Sequence, residues 1–184
     1  MRLLKVYLRK GERELSGTKY GKYFITLEPK EPKPKESIFN VILFDGKTVP
    51  GSNFYHVHWM LPWGEFPKGA PASPIGHPPH MHKDPEILMF IGTDPNNPMD
   101  LGAECEFFMG PEQERHVINK TCAVYIPANL VHGPFRTLKT VRPWIMIRIF
   151  QGPVHTEKYV PEVLPPEVRD KVDWSAWKRM EEGY

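Results

Sequence analysis

In the stretch HPPHMHKDPEILMFIG (77–92), His80 and His82 stand one residue apart, and Glu86 follows just past the turn signal Asp84-Pro85. Side chains two apart in a strand point to the same face, so both imidazoles can enter one cavity, and Glu86 returns from the start of the next strand. A remote fourth donor, His132, lies in VYIPANLVHGPF (124–135), where Pro127 and Asn129 shape the turn before it. Imidazole nitrogens with a carboxylate oxygen suit one divalent transition metal. Fe(II), Mn, Co, Ni, Cu and Zn all fit these donors. Three neutral imidazoles and one carboxylate leave a doubly charged ion at about +1, which favours an anionic oxygen ligand such as an enolate, carboxylate or phenolate.

Other residues are placed less sharply by spacing. His56 and His58, in NFYHVHWMLPW, repeat the one-apart pattern. If their strand faces the metal they form a catalytic acid/base pair or support the ligands. In the alternative, Phe54, His56, His58 and Met60 share a partly polar outer face while Tyr55, Val57, Trp59 and Leu61 pack inside. The direction of His77 is hidden by Pro78 and Pro79. Glu104 and Glu106 share a strand face, and Arg148 with one of them would make an inner ion pair or a substrate clamp, unless all are solvated. His116 and His155 lack ligand spacing and read as surface residues. Cys105 and Cys122 lack metal-knuckle spacing and read as small buried hydrophobes.

These residues need elements to carry them, and the chain supplies strands. Its 21 prolines fall mainly between apolar runs rather than within them, which punctuates strands. Runs at 19–29, 36–46, 52–62, 85–92, 103–110, 115–120, 122–127 and 144–152 are β-branched or aromatic and closed by turn residues. Residues 2–8 make an edge strand or arm. Residues 64–80 form a loop leading to the first ligand strand, and 93–102 form a second, polar loop. In the tail, Asp173 is an N-cap for WSAWKRMEE, with Trp174, Trp177 and Met180 along one side. The expected architecture is all-β, with an N-terminal arm (1–18), a barrel (19–155) and a C-terminal extension with a short helix (156–184).

Composition excludes several classes. The chain has 184 residues, enough for one core, and 24 basic against 22 acidic residues give a net charge of only +2. No basic block implies nucleic acid or an anionic membrane, and no apolar run is long enough to span a bilayer. No signal-peptide core forms before Lys5, Arg9 and Lys10, so the cytoplasm is the expected location.

The motif at 77–92 resembles the first motif of the cupin superfamily, Gly, five residues, His-x-His, three or four residues, Glu, six residues, Gly. Residues 121–136 resemble the second, Gly, five residues, Pro-x-Gly, two residues, His, three residues, Asn. The resemblance implies metal-ligand roles for His80, His82, Glu86 and His132 and a double-stranded β-helix, or jelly-roll barrel. The chain departs from the pattern at the rims. Gly76 and Gly92 sit closer in than the motif asks, Thr121 and Asn129 replace glycines, and Arg136 replaces the terminal asparagine. The family's range implies a metal-dependent enzyme acting on a small organic substrate, with a non-haem dioxygenase ahead of a redox-neutral isomerase or lyase. A non-enzymatic binding or sensor barrel is the other class. Exposed strand edges and the aromatic tail point to a homodimer.

Overall fold

Where proline, glycine and aspartate interrupt β-branched and aromatic runs, the backbone forms short strands joined by tight turns. A computed structural model describes residues 19–26, 38–62 and 73–184. Ten strands lie among the described residues: β1 (Ile38–Phe44), β2 (Phe54–Met60), β3 (His80–Met81), β4 (Glu86–Gly92), β5 (Asp100–Met109), β6 (Glu114–Lys120), β7 (Cys122–Ile126), β8 (His132–Thr140), β9 (Trp144–Phe150) and β10 (Lys158–Tyr159). They make two five-stranded sheets in the orders β1-β2-β9-β4-β7 and β10-β3-β8-β5-β6, and the strand pairs within them are antiparallel. The result is a jelly-roll-like sandwich. The all-β jelly-roll layout expected from the sequence is present, and among the described residues no ladder joins the two sheets into a closed barrel.

Phe90, Leu101, Cys105, Phe107, Ile126 and Trp144 fill the core between the sheets. Phe54, His58 and Met60 are buried, whereas Tyr55, Val57 and Trp59 are only partly covered. The inner face of β2 is therefore the one that carries the histidines. Across β2, β9 and β4, His56, Arg148 and Leu88 form one row, with His58, Met146 and Phe90 in the next.

Several expectations change. The described part of 19–29 is a single 3-10 turn at Gly21–Tyr23 rather than a strand, and the arm at 2–8 lies outside the described residues, as do 27–29 and most of the loop at 64–80. β8 runs through GPFRTLKT, a stretch with neither a long apolar run nor clean alternation, so its strand came from pairing with β5 rather than from local preference. Cys105 is buried, but Cys122 is exposed on the outer strand β7. A bulge between Glu104 and Cys105 breaks the shared face expected for the two glutamates: Glu104 is exposed, while Glu106 is covered by Arg115 and Arg136.

After β10 come two short helices, α1 (Pro166–Arg169) and α2 (Trp174–Lys178). The Asp173 side chain accepts from the Ala176 amide and caps α2, as the sequence predicts. Of its aromatic stripe, Trp177 is buried against Tyr159 and Val172, but Met180 is exposed. The tail folds back as a strap: the backbones of Glu157 and Glu182 exchange hydrogen bonds of 2.8 and 3.0 Å, and β10 pairs with β3. Among the described residues no helix is long and apolar enough to cross a membrane.

Candidate metal centre

The four residues read as ligands meet where the chain crosses from one sheet to the other. His80 lies on β3 and His132 directly opposite it on β8, while Glu86 opens β4 in the other sheet. His82 sits in the crossover between them, one residue past the end of β3. Strand alternation is therefore not what aims His82; a tether to the backbone of the strap is. The Nδ1–H of His82 donates to the Thr156 carbonyl, that of His80 to the Pro78 carbonyl at 2.7 Å, and that of His132 to the Leu130 carbonyl at 3.0 Å. Each imidazole is thereby fixed in one tautomer, with the Nε2 lone pair free.

One ring nitrogen from each of His80, His82 and His132 lies within 4.8 Å of the others. Glu86 Oε2 is 3.4 Å from His82 Nε2 and 3.2 Å from His132 Nε2. Those two nitrogens are buried and have no hydrogen-bond partner. Lone pairs and a carboxylate, all acceptors, converge in a space that water does not reach, an arrangement a cation resolves. The donor set thus fits one divalent transition metal.

Two turn residues let the ligand segments approach. Asn129 takes φ of 61°, the left-handed conformation for which glycine is usual, and its amide donates to the His82 carbonyl at 2.8 Å. At Gly133, φ is 86° and a Cβ would meet the Pro78 carbonyl oxygen at 2.8 Å, so only glycine lets β8 lie this close to the His80 segment.

A cavity of about 540 Å³ borders the cluster, and His80, Glu86, His132, His58, His77 and Arg148 line it together with apolar side chains. His56 does not border this cavity, but its ring lies 3.8 Å from that of His58. Burial first and then neighbouring charges, Arg148 among them, lower His56 to about 2 and His58 to about 3, so both are neutral imidazoles. Arg148 donates to Glu86 Oε1 at 3.4 Å, not to Glu104 or Glu106.

The sequence reading missed a second carboxylate. Glu157, buried at the start of the strap, accepts from His77 Nε2–H at 2.8 Å and lies 3.7 Å from His80 Nε2. Burial would raise it, but His77, His80 and His155 hold it well below the usual range. His155, expected at the surface, is largely covered by Phe54, Phe150 and His82, and burial lowers it to about 4. His116 is exposed, as expected. His155 and Glu157 are two apart in sequence but not within a strand, so no local pattern marks the pair; burial under the returning tail is what brings it to the site.

No family model matches the sequence, and no curated protein matches it. Among solved structures the chain is similar to the DMSP lyase DddQ from Ruegeria pomeroyi DSS-3, at 22% identity and a TM-score of 0.36 over 59% of this chain and 43% of that one. It is also similar to a recombinant oxalate oxidase in complex with glycolate, at 14% and 0.44 over 73% and 60%. A Lactobacillus farciminis oxalate decarboxylase formate complex follows at 12% and 0.44 over 79% and 41%. The chain spans less than two thirds of each of these structures.

Proposed function

We propose that this chain is a metal-dependent enzyme acting on a small organic substrate that carries an anionic oxygen, a carboxylate, enolate or phenolate. The observation that carries this is the convergence of three backbone-tethered imidazoles and the Glu86 carboxylate beside a cavity that also holds Arg148. His80, His82, His132 and Glu86 would hold the metal, which when bound supplies a Lewis acid for that oxygen. The guanidinium of Arg148 adds a second positive group at the same wall and orients the anion. The apolar side chains of the cavity exclude water from the substrate's body.

Within this reading the first choice is an Fe(II)-dependent, non-haem dioxygenase, with His58 at the cavity wall as its catalytic imidazole and His56 packed behind it. A redox-neutral isomerase or lyase is the second reading, and one specific observation favours it. His77 lines the cavity with its Nε2 proton held on Glu157, which leaves Nδ1 as an acceptor able to take a substrate proton. The homodimer expected from the sequence belongs to the same proposal, supported by Tyr125, exposed on the outer strand β7.

The deciding experiment purifies the protein anaerobically without an affinity metal column and measures its metal content, with His132→Ala as control. Stoichiometric metal lost in the variant is the expected outcome, and iron with oxygen uptake in the presence of phenols or keto acids selects the dioxygenase. Zinc, nickel or manganese with no oxygen uptake selects the second reading. Equal metal content in wild type and variant removes the ligand assignment, and binding of such acids without conversion leaves a sensor.

A further inference from the structure

His58 has two nitrogens in different situations. On β2 it stands opposite Asn40 of β1, and its Nδ1–H donates to Asn40 Oδ1 at 2.9 Å. Its side chain lines the cavity, the residue is only 6% exposed, and Nε2 is buried with no hydrogen-bond partner. A buried polar atom without a partner costs free energy unless something supplies one. Of its neighbours on the same sheet face, Met146 opposite on β9 and Met60 two positions along carry no donor, and His56, two positions the other way with its ring 3.8 Å off, makes no hydrogen bond to it.

We infer that His58 Nε2 is a hydrogen-bond acceptor for the substrate, selecting molecules that carry a hydroxyl or N–H donor on an apolar body in addition to their anionic oxygen. This rests on the proposed function and deepens it. Arg148 and the metal ligands provide for the anion, and Met60, Leu88, Phe107, Phe135 and Met146 provide the apolar wall. That wall suits a substrate larger than a two-carbon acid, and on it His58 is the acceptor held in place by a side chain of its own strand's neighbour. The neutral state of His58 agrees with this role, because burial first and Arg148 second disfavour a second proton on the ring.

Two measurements on zinc-loaded protein test it. The first is a long-range proton–nitrogen NMR correlation of the imidazoles, with His58 assigned by loss of its signals in His58→Gln. An unprotonated Nε2 is expected, and an Nε2–H tautomer would overturn the inference. The second is calorimetric titration with phenylacetate, mandelate and 4-hydroxyphenylacetate against wild type and His58→Phe. At least one hydroxylated acid is expected to bind about tenfold tighter than phenylacetate, a preference lost in His58→Phe while phenylacetate itself is held about as well. The same preference in both proteins, or none in wild type, would overturn selection by His58. The tautomer is read without any ligand, so a wrong tautomer overturns the inference alone, whereas binding of none of the three acids overturns selection by His58 together with the anionic-substrate reading.

Discussion

At the scale of single residues, the site depends on which nitrogen of each imidazole is free. Carbonyls of Pro78, Thr156 and Leu130 hold the three Nδ1–H groups, so no side-chain substitution elsewhere is needed to orient the ligands. Glu157 is different, because its influence on His80 is electrostatic and passes through its own side chain. Partners just outside a metal's ligands typically contribute about 10–100-fold in affinity. Glu157→Gln keeps an acceptor for His77 but removes the charge, and it is expected to weaken metal binding about tenfold in competition with a chelator. Unchanged affinity would mean that Glu157 serves only to anchor the strap. Motif spacing made His80, His82, Glu86 and His132 legible in the sequence. Glu157 and His155 were not, because what makes them relevant is burial beneath a returning tail.

At the scale of elements, the strap is the part whose stability can be separated from the sheets. Trp177 is buried edge-on to His77 and Tyr159, with centroids 5.4 and 5.5 Å apart, and His77 in turn packs edge-on against His80 at 4.4 Å. Truncating a buried tryptophan costs about 3–5 kcal/mol, whereas removing the N-cap of α2 costs about 1 kcal/mol. Trp177→Ala is therefore expected to speed amide exchange at Glu157, Val160 and Glu182 strongly, with Asp173→Ala producing a smaller effect. Amides of β4 and β9 should keep their protection in both. Equal acceleration in β9 would show that the strap and the sandwich open as one unit.

At the scale of the molecule, burial of neutral histidines makes stability depend on pH. His56 and His58 have folded values of about 2 and about 3, below the unfolded value of about 6.5. The unfolded chain therefore takes up protons first, and stability falls as pH drops below about 6.5. By pH 5 each histidine is expected to cost about 2 kcal/mol. The depressed carboxylate of Glu157 acts in the same direction lower down: its contribution is present above the unfolded value of about 4.3 and is lost as pH falls through the folded one. Urea titrations of metal-free protein between pH 7 and 5 check the histidine part, and His56→Phe combined with His58→Phe should make the curve shallower, with the remaining slope coming from buried histidines such as His155. A slope unchanged in that double variant would remove these two groups as its origin.

Local chemistry by itself determined a good deal of this protein. The punctuation of apolar runs by proline and glycine predicted most of the strands, the Asp173 cap predicted α2, and the His-x-His and Pro-x-Asn-x-x-His patterns, with Glu86 four residues past the first, picked out four side chains that do converge. Such signals are written in adjacent residues, where period and turn preference act. Tertiary structure alone decided which face of β2 looks inward, that β8 is a strand, that Arg148 answers Glu86, and that Glu157 comes to lie beside His80. Each of those depends on contacts between segments far apart in the chain, and no local preference encodes the burial that such contacts create.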